Sequence, residues 1–300
     1  MDMTQNKCCR HGASLRRRRR RRRKILRSII FSCSIIAVAV FVAVGSRMIT
    51  SGDGGTNRYD VEAGNNTYDN AVIENSKISE NNNIQNEQSM LDDIMNSTQY
   101  PKQLQELALK NEEALEFVYD YPTEHVKEHT IDLTEEASMD SVPLFVQWDK
   151  RWGYEKYSGN FFAASGCGPT TLSMVVVYLT HNREASPIAV AKYSKEAGYS
   201  VDGSGSSWTL ISEGCRHYGV KAKTVALDES RMKAELDAGH PIVINVGPGD
   251  FTDTGHFMVI TGYDDEGFSI NDPNSIEKSG KRWLFKNISS QIRAVWSMYV

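Results

Sequence analysis

Apolar residues are spread along this chain in distinct regimes. Residues 29–44, IIFSCSIIAVAVFVAV, form a nearly unbroken apolar run, whereas residues 48–99 are rich in Asn, Gly, Ser, Asp and Glu with few clustered apolar positions. A segment of that composition cannot bury enough surface to fold alone and is expected to be a flexible linker. Within it, only IQNEQSMLDDIMN carries a weak helical pattern. After Pro101, the residues Leu104, Leu107, Ala108, Leu115, Phe117 and Val118 recur at roughly helical spacing, which predicts one amphipathic helix ended by Pro122. Such a helix must pack on something, as a brace or as a cover. At Val142 the character changes to dense aromatics and turn formers, marking the start of a globular domain.

Inside that domain, SGCGPTTLSMVVVYLT (165–180) is a Gly-rich turn running into an apolar, helix-length segment. Further helices are expected over 187–197, closed by Gly198, and from a cap at Ser206 or Ser207 to Gly219. A short strand is expected over 220–227, and another helix over 228–238, closed by Gly239. The runs PIVINVG, HFMVITGYD, GFSINDP and KRWLFKN are β-favouring and punctuated by Gly, Asp or Pro. Helices first and an antiparallel sheet second predict an α+β domain. Asp264-Asp265-Glu266-Gly267 reads as a hairpin turn, which would bring His256 and Asp272 to the same end of one sheet.

Length and composition bound the rest. Three hundred residues at 40% apolar content hold one ordinary globular domain plus appended segments. The net charge of -4 hides an asymmetry: 13 of the 34 basic residues precede Thr50, opposed only by Asp2, so the remainder carries about -16. A domain that acidic is poorly suited to gripping phosphate backbones, so no nucleic-acid partner is expected. The basic run Arg16 to Lys24 followed by apolar residues reads as a membrane-insertion signal with a cytoplasmic N-terminus. Its apolar part is about 16 residues, or close to 20 with Ile25 and Leu26, the lower edge of a bilayer span. A single-pass anchor over 25–45, with the globular domain outside, is expected; secretion after cleavage near Gly45 is the alternative.

Candidate chemistry centres on Cys167. The turn Gly166-Cys167-Gly168-Pro169 delivers a thiol to the first positions of a helix, where unpaired N–H groups and the dipole favour an anion. The alternative is a small residue packed in a turn. A thiolate nucleophile needs a base and an orienting acid, and His256 and Asp272 are the best-placed partners. The other histidines of this part, His181, His217 and His240, fit satisfied or solvated positions better. For the oxyanion, the Cys167 N–H is the first donor, and Gln147 is either a side-chain donor or a turn glutamine beside buried tryptophans. Cys215, on a predicted helix, reads as a buried structural thiol; a disulfide with Cys167 is the competing reading.

A family resemblance rests on VPLFVQWDKRWGY (142–154), SGCGPTTLSMV (165–175), GSGSSWTLISEG (203–214), PGDFTDTGHFMVITGYDDEGFSINDPNS (248–275) and QIRAVW (291–296). From about Val142 to Val300 the chain resembles the bacterial C39-like family of papain-type cysteine peptidases. KNEEALEFVYDYP (110–122) is similar to the helix preceding this domain in membrane-associated members. The resemblance implies a papain-like fold with Cys167 as nucleophile, His256 as base and Asp272 as orienting acid. It departs from many papain-type enzymes in that 161–165 holds no glutamine, and Gln147 lies about 20 residues before the cysteine. The implied organisation is a basic head (1–24), an anchor (25–45), a linker (46–99), a helical extension (100–140) and the peptidase domain (141–300). A peptide or cell-wall-associated substrate is implied, with hydrolysis, acyl transfer and noncatalytic binding all open to this scaffold. No cofactor or metal is expected.

Overall fold

Alternating apolar side chains in the C-terminal third build an antiparallel sheet whose two faces are both covered. A computed structural model describes residues 84–300; the basic run, the apolar run 29–44 and most of the expected linker lie outside the described residues. The sheet has six strands: β1 (Lys221–Thr224), β2 (Ile242–Val246), β3 (His256–Asp264), β4 (Gly267–Asn271), β5 (Arg282–Trp283) and β6 (Ile292–Tyr299). They lie in the order β1-β6-β2-β3-β4-β5, and every neighbouring pair is antiparallel. Five principal helices accompany them: α1 (84–96), α2 (Lys102–Lys110), α3 (Cys167–Thr180), α4 (Pro187–Glu196) and α5 (Glu229–Asp237).

Period-two alternation decides the layers. Val243, Phe257, Val259, Trp296 and Met298 face a core completed by Leu172, Val175 and Val176 of α3 and Val190 of α4. Ile242, Ile244, Val246, Met258, Ile260 and Val295 face the opposite core, closed by Met232 of α5 and by Ile288. Residues Gly168 to Val177 of α3 are all buried, so this helix is apolar around its circumference and sits between the sheet and other elements. The chain is thus α+β, with helices packed on an antiparallel sheet.

Five expectations change, the first being that the helix expected from Ser206 or Ser207 to Gly219 is only a helical turn at Thr209–Ser212 followed by a tighter turn at Gly214–Tyr218. β6 was not among the expected strands, yet it pairs on both sides, Trp296 opposite Thr224 of β1 and Val243 of β2. A register shift between Ile292 and Ala294 interrupts the local alternation that would have announced it. KRWLFKN forms strand only at Arg282–Trp283, because this edge strand pairs with β4 at Phe268 and Ser269 alone. Beyond it, a helical turn at Phe285–Ile288 carries Ile288 into the core.

The helix expected from Pro101 to Tyr121 breaks at Asn111, which is extended at φ -127 and ψ 106. The Asn111 side chain accepts from the Glu113 N–H at 3.1 Å, a local bond that competes with helix continuation. Shorter turns follow at Glu112–Ala114, Leu115–Tyr119 and Tyr121–Glu124. Pro122 lies in the first turn of the last of these, where its missing N–H costs nothing, rather than ending a helix. Finally, 84–96 is a packed helix within the expected linker: Ile94 is fully buried, and Met90 and Leu91 join Leu104, Leu107, Leu115, Phe117 and Val118 in a third core. Tertiary burial supplies what its sparse apolar pattern does not. That core includes Phe161 and Ala163, so the extension backs the segment leading to Cys167.

Candidate active site

The turn at the head of α3 requires its two glycines for space. A Cβ on Gly166 would come within 2.6 Å of the Phe162 ring, and one on Gly168 within 2.5 Å of Ser206 Oγ. The chain can therefore pass close to both neighbours while presenting Cys167 as the first residue of α3. The helical ladder opens with Thr170 N–H donating to the Gly166 carbonyl at 3.0 Å, so the N–H groups of Cys167 and Gly168 lie ahead of it. Cys167 is partly exposed and unbonded to any other cysteine.

His256 is the first residue of β3, opposite Val246 of β2. The hairpin turn expected at Asp264–Gly267 forms, with Asp264 Oδ1 accepting from the N–H of Glu266 at 2.9 Å and of Gly267 at 3.2 Å. It returns the chain so that Asp272, just past β4, meets His256. The His256 Nε2 to Asp272 Oδ1 distance is 2.7 Å, and both side chains are buried. Asp272 Oδ1 also accepts from the Asn274 N–H at 2.8 Å. With Nε2 engaged by the carboxylate, Nδ1 is the ring nitrogen left for the thiol.

The electrostatics bind the three groups. Burial pushes the Cys167 thiol up, but a hydrogen bond from His256, its positive charge, and the N–H groups of Phe257 and Gly168 outweigh that and bring it below the ordinary 9.0. Burial opposes the charged form of His256, yet the Asp272 carboxylate first, and then Cys167, push it from 6.5 up to about 10. Between these limits the pair carries a thiolate beside an imidazolium, the reactive form of a nucleophilic cysteine.

Gln147 is buried between the two halves of this arrangement. Its Nε2 donates to the Ala163 carbonyl at 2.7 Å, ahead of the cysteine turn, and its backbone N–H donates to the Pro273 carbonyl at 2.7 Å, beside Asp272. One amide hydrogen is therefore used, and Nε2 carries a second. Gln147 does lie in a turn, but buried rather than at the surface. The remaining histidines of residues 141–300 lie elsewhere: His181 Nδ1 is 2.8 Å from the Ala137 carbonyl, His217 stacks on Tyr193 at 4.0 Å, and His240 Nδ1 is 3.2 Å from Glu235 Oε2. Cys215 is a fully buried free thiol, and burial pushes it up to about 11.

Sequence reasoning missed the Phe257 N–H that faces the thiol and the Asn274 N–H that fixes Asp272. Backbone donors carry no residue-type signal. It also passed over Asn111-Glu112-Glu113, whose Asn followed by acids is a helix-start signature hidden inside what reads as a continuous helix.

Residues 139–300, more than half the chain, match the Peptidase_C39 like family. Among solved structures, the chain is similar to the peptidase domain of Streptococcus ComA, described as a bi-functional ABC transporter involved in a quorum-sensing pathway. The identity is 18%, over 53% of this chain and 96% of that one, with a TM-score of 0.39. It is also similar to a C39-like peptidase from Bacillus anthracis, at 17% identity over 53% of this chain and 95% of that one, with a TM-score of 0.34. No curated protein matches the chain.

Proposed function

The chain belongs to the Peptidase_C39 like family, and from that premise we propose that it is a thiol-dependent hydrolase of peptide or related amide bonds acting through Cys167, His256 and Asp272. The observation that carries the reading is the buried His256, held at 2.7 Å by Asp272 and interacting through its ring with Cys167. The Cys167 thiolate attacks the scissile carbonyl carbon, and the carbonyl π electrons move onto oxygen. Donors for that oxyanion are the Cys167 N–H and the second hydrogen of Gln147 Nε2. Collapse expels the amine, which takes the proton from the His256 imidazolium and leaves a thioester. Neutral His256 then takes a proton from water as it attacks the thioester. Collapse of that second adduct expels the Cys167 thiolate and releases the acid, leaving the thiolate beside the imidazolium that took the water proton. Asp272 keeps the ring in one orientation and stabilises its charged form.

Alkylation of Cys167 by iodoacetamide across pH, read on its tryptic peptide, tests this reading. The reagent is neutral, so its rate reports the thiolate fraction. Because Cys167 is depressed, the native rate is expected to rise with an inflection below 9.0. In His256→Ala, burial remains while the cation is gone, so the inflection is expected to move above 9.0. Identical profiles for the two proteins would refute the ion pair.

The proposed location is outside the cytoplasmic membrane, the N-terminal apolar run serving as the anchor; the support is the order of charge and apolarity in the sequence. Among the described residues no helix is long and apolar enough to cross a membrane. Leaving the nine basic residues Arg16 to Lys24 on the cytoplasmic side is far cheaper than moving them across a bilayer. A peptide or wall polymer near the membrane is then the substrate within reach. Protease treatment of intact protoplasts is expected to remove an epitope fused after Val300 and spare one fused before Met1. The reverse pattern, or protection of both, contradicts this orientation.

A further inference from the structure

Asp272 sits past the end of β4 at the start of a loop in which Asp272, Pro273 and Ser275 are buried but whose second half packing does not hold. The short helix Ile276–Ser279 in that loop buries none of its residues, and Ile276 is 51% exposed. Hydrogen bonds fix the loop instead, and several of them come from the extension that precedes the family-matched region. Asn111 Nδ2 donates to the Asn274 carbonyl at 3.0 Å and to Asn274 Oδ1 at 3.1 Å. Glu113 accepts from the Ser275 hydroxyl through Oε1, and through Oε2 from the N–H groups of Ile276 at 2.6 Å and Glu277 at 3.1 Å. Those N–H groups belong to a first helical turn and have no partner within the helix. Asn274 in turn gives its own N–H to Asp272 Oδ1, the same oxygen that holds His256. Trp148 Nε1 adds a longer contact to the Asn274 carbonyl at 3.3 Å.

We propose that Asn111 and Glu113 are positioning residues of the thiol site: anchored by the extension's own core, they fix the 272–279 loop and so aim Asp272 at His256. The proposal rests on the reading of Cys167, His256 and Asp272 as a catalytic set. It makes the extension part of the functional unit. Its core, built from Leu104, Leu107, Leu115, Phe117 and Val118, includes Ala163, whose carbonyl holds Gln147. One apolar cluster therefore backs both the oxyanion side and the acid side of the site.

The breaks along Asn111–Glu124 then have a purpose. A continuous helix would have no extended residue at 111 to turn one amide toward Asn274 while its oxygen caps Glu113.

The test uses the full-length chain with iodoacetamide as the probe. Asn111→Asp keeps the oxygen that caps Glu113 but removes the donor to Asn274, and Glu113→Gln keeps shape while removing one acceptor and the charge. In each, the alkylation inflection of Cys167 is expected to move upward, toward that of Asp272→Asn, with a rate at pH 7 lowered about tenfold or more. Glu106→Gln, on the exposed face of α2, is expected to leave both unchanged. Asn111→Asp and Glu113→Gln proteins that retain native near-UV dichroism and the native inflection would overturn the proposal. If one of these two variants fails to fold, the other, equally shape-preserving, decides. Failure of the underlying reading is distinguishable, because His256→Ala and Asp272→Asn would then leave the inflection in place as well.

Discussion

Cys167→Ala is expected to abolish amide hydrolysis, by about 10⁴-fold or more, because no other group can form the thioester. Labelling of this position by an electrophilic thiol probe should vanish with it. Stability should hardly change, within about 1 kcal/mol, since the side chain is partly exposed and loses only its sulfur. Cys215→Ala provides the contrast. Its thiol is buried and pushed up to about 11, so it contributes little thiolate near neutrality. That variant should cost about 1 kcal/mol through lost packing and leave the labelling of Cys167 intact. Turnover by Cys167→Ala close to the native rate would remove the nucleophile from the mechanism. Native labelling without turnover of any peptide would favour a binding module on the same scaffold.

The second large effect concerns Asp272, where Asp272→Ala is expected to damage stability and activity together. The carboxylate is fully buried against His256, so its removal leaves the imidazolium with Cys167 alone or forces the ring to lose its proton. Breaking a buried pair in this way costs about 3–5 kcal/mol. The pH dependence has a definite sign. His256 is raised from 6.5 to about 10 in the folded chain, so its contribution is fully present below 6.5 and is lost as pH rises through about 10. The stability gap between the native protein and Asp272→Ala, measured by urea denaturation, should therefore be wide at pH 6.5 and narrow toward pH 10. Asp272→Asn, which keeps the shape, should recover part of the stability while kcat stays about 10²-fold down, because a neutral amide does not stabilise the ring's charged form. A gap that does not vary with pH would mean that the pair is not charged.

The sequence by itself determined the parts of this protein that local chemistry specifies. A glycine on either side of Cys167 marks a turn into a helix, and a four-residue Asp-Asp-Glu-Gly turn marks a hairpin. The hairpin turns residues 256 and 272 toward the same end of the sheet, because a tight antiparallel turn folds the second strand back along the first; the register, shifted between Ile260 and Gly262, was set by the tertiary structure. The α5 boundaries follow from local chemistry too, with Asp228 accepting from the Arg231 N–H at its start and Gly239 adopting φ +79 after its end. Tertiary structure decided what depends on partners distant in sequence. β6 becomes a central strand because β1 and β2 both pair with it, and a register shift blurs its own alternation. Helix 84–96 exists because Ile94 finds a buried place among residues of α2 and beyond. Asn111 breaks a well-patterned helix because its amide bonds both Glu113 and Asn274, the latter 163 residues away. Helical periodicity records which face can be buried. It does not record which backbone group, far along the chain, offers a hydrogen bond that outweighs another turn of helix.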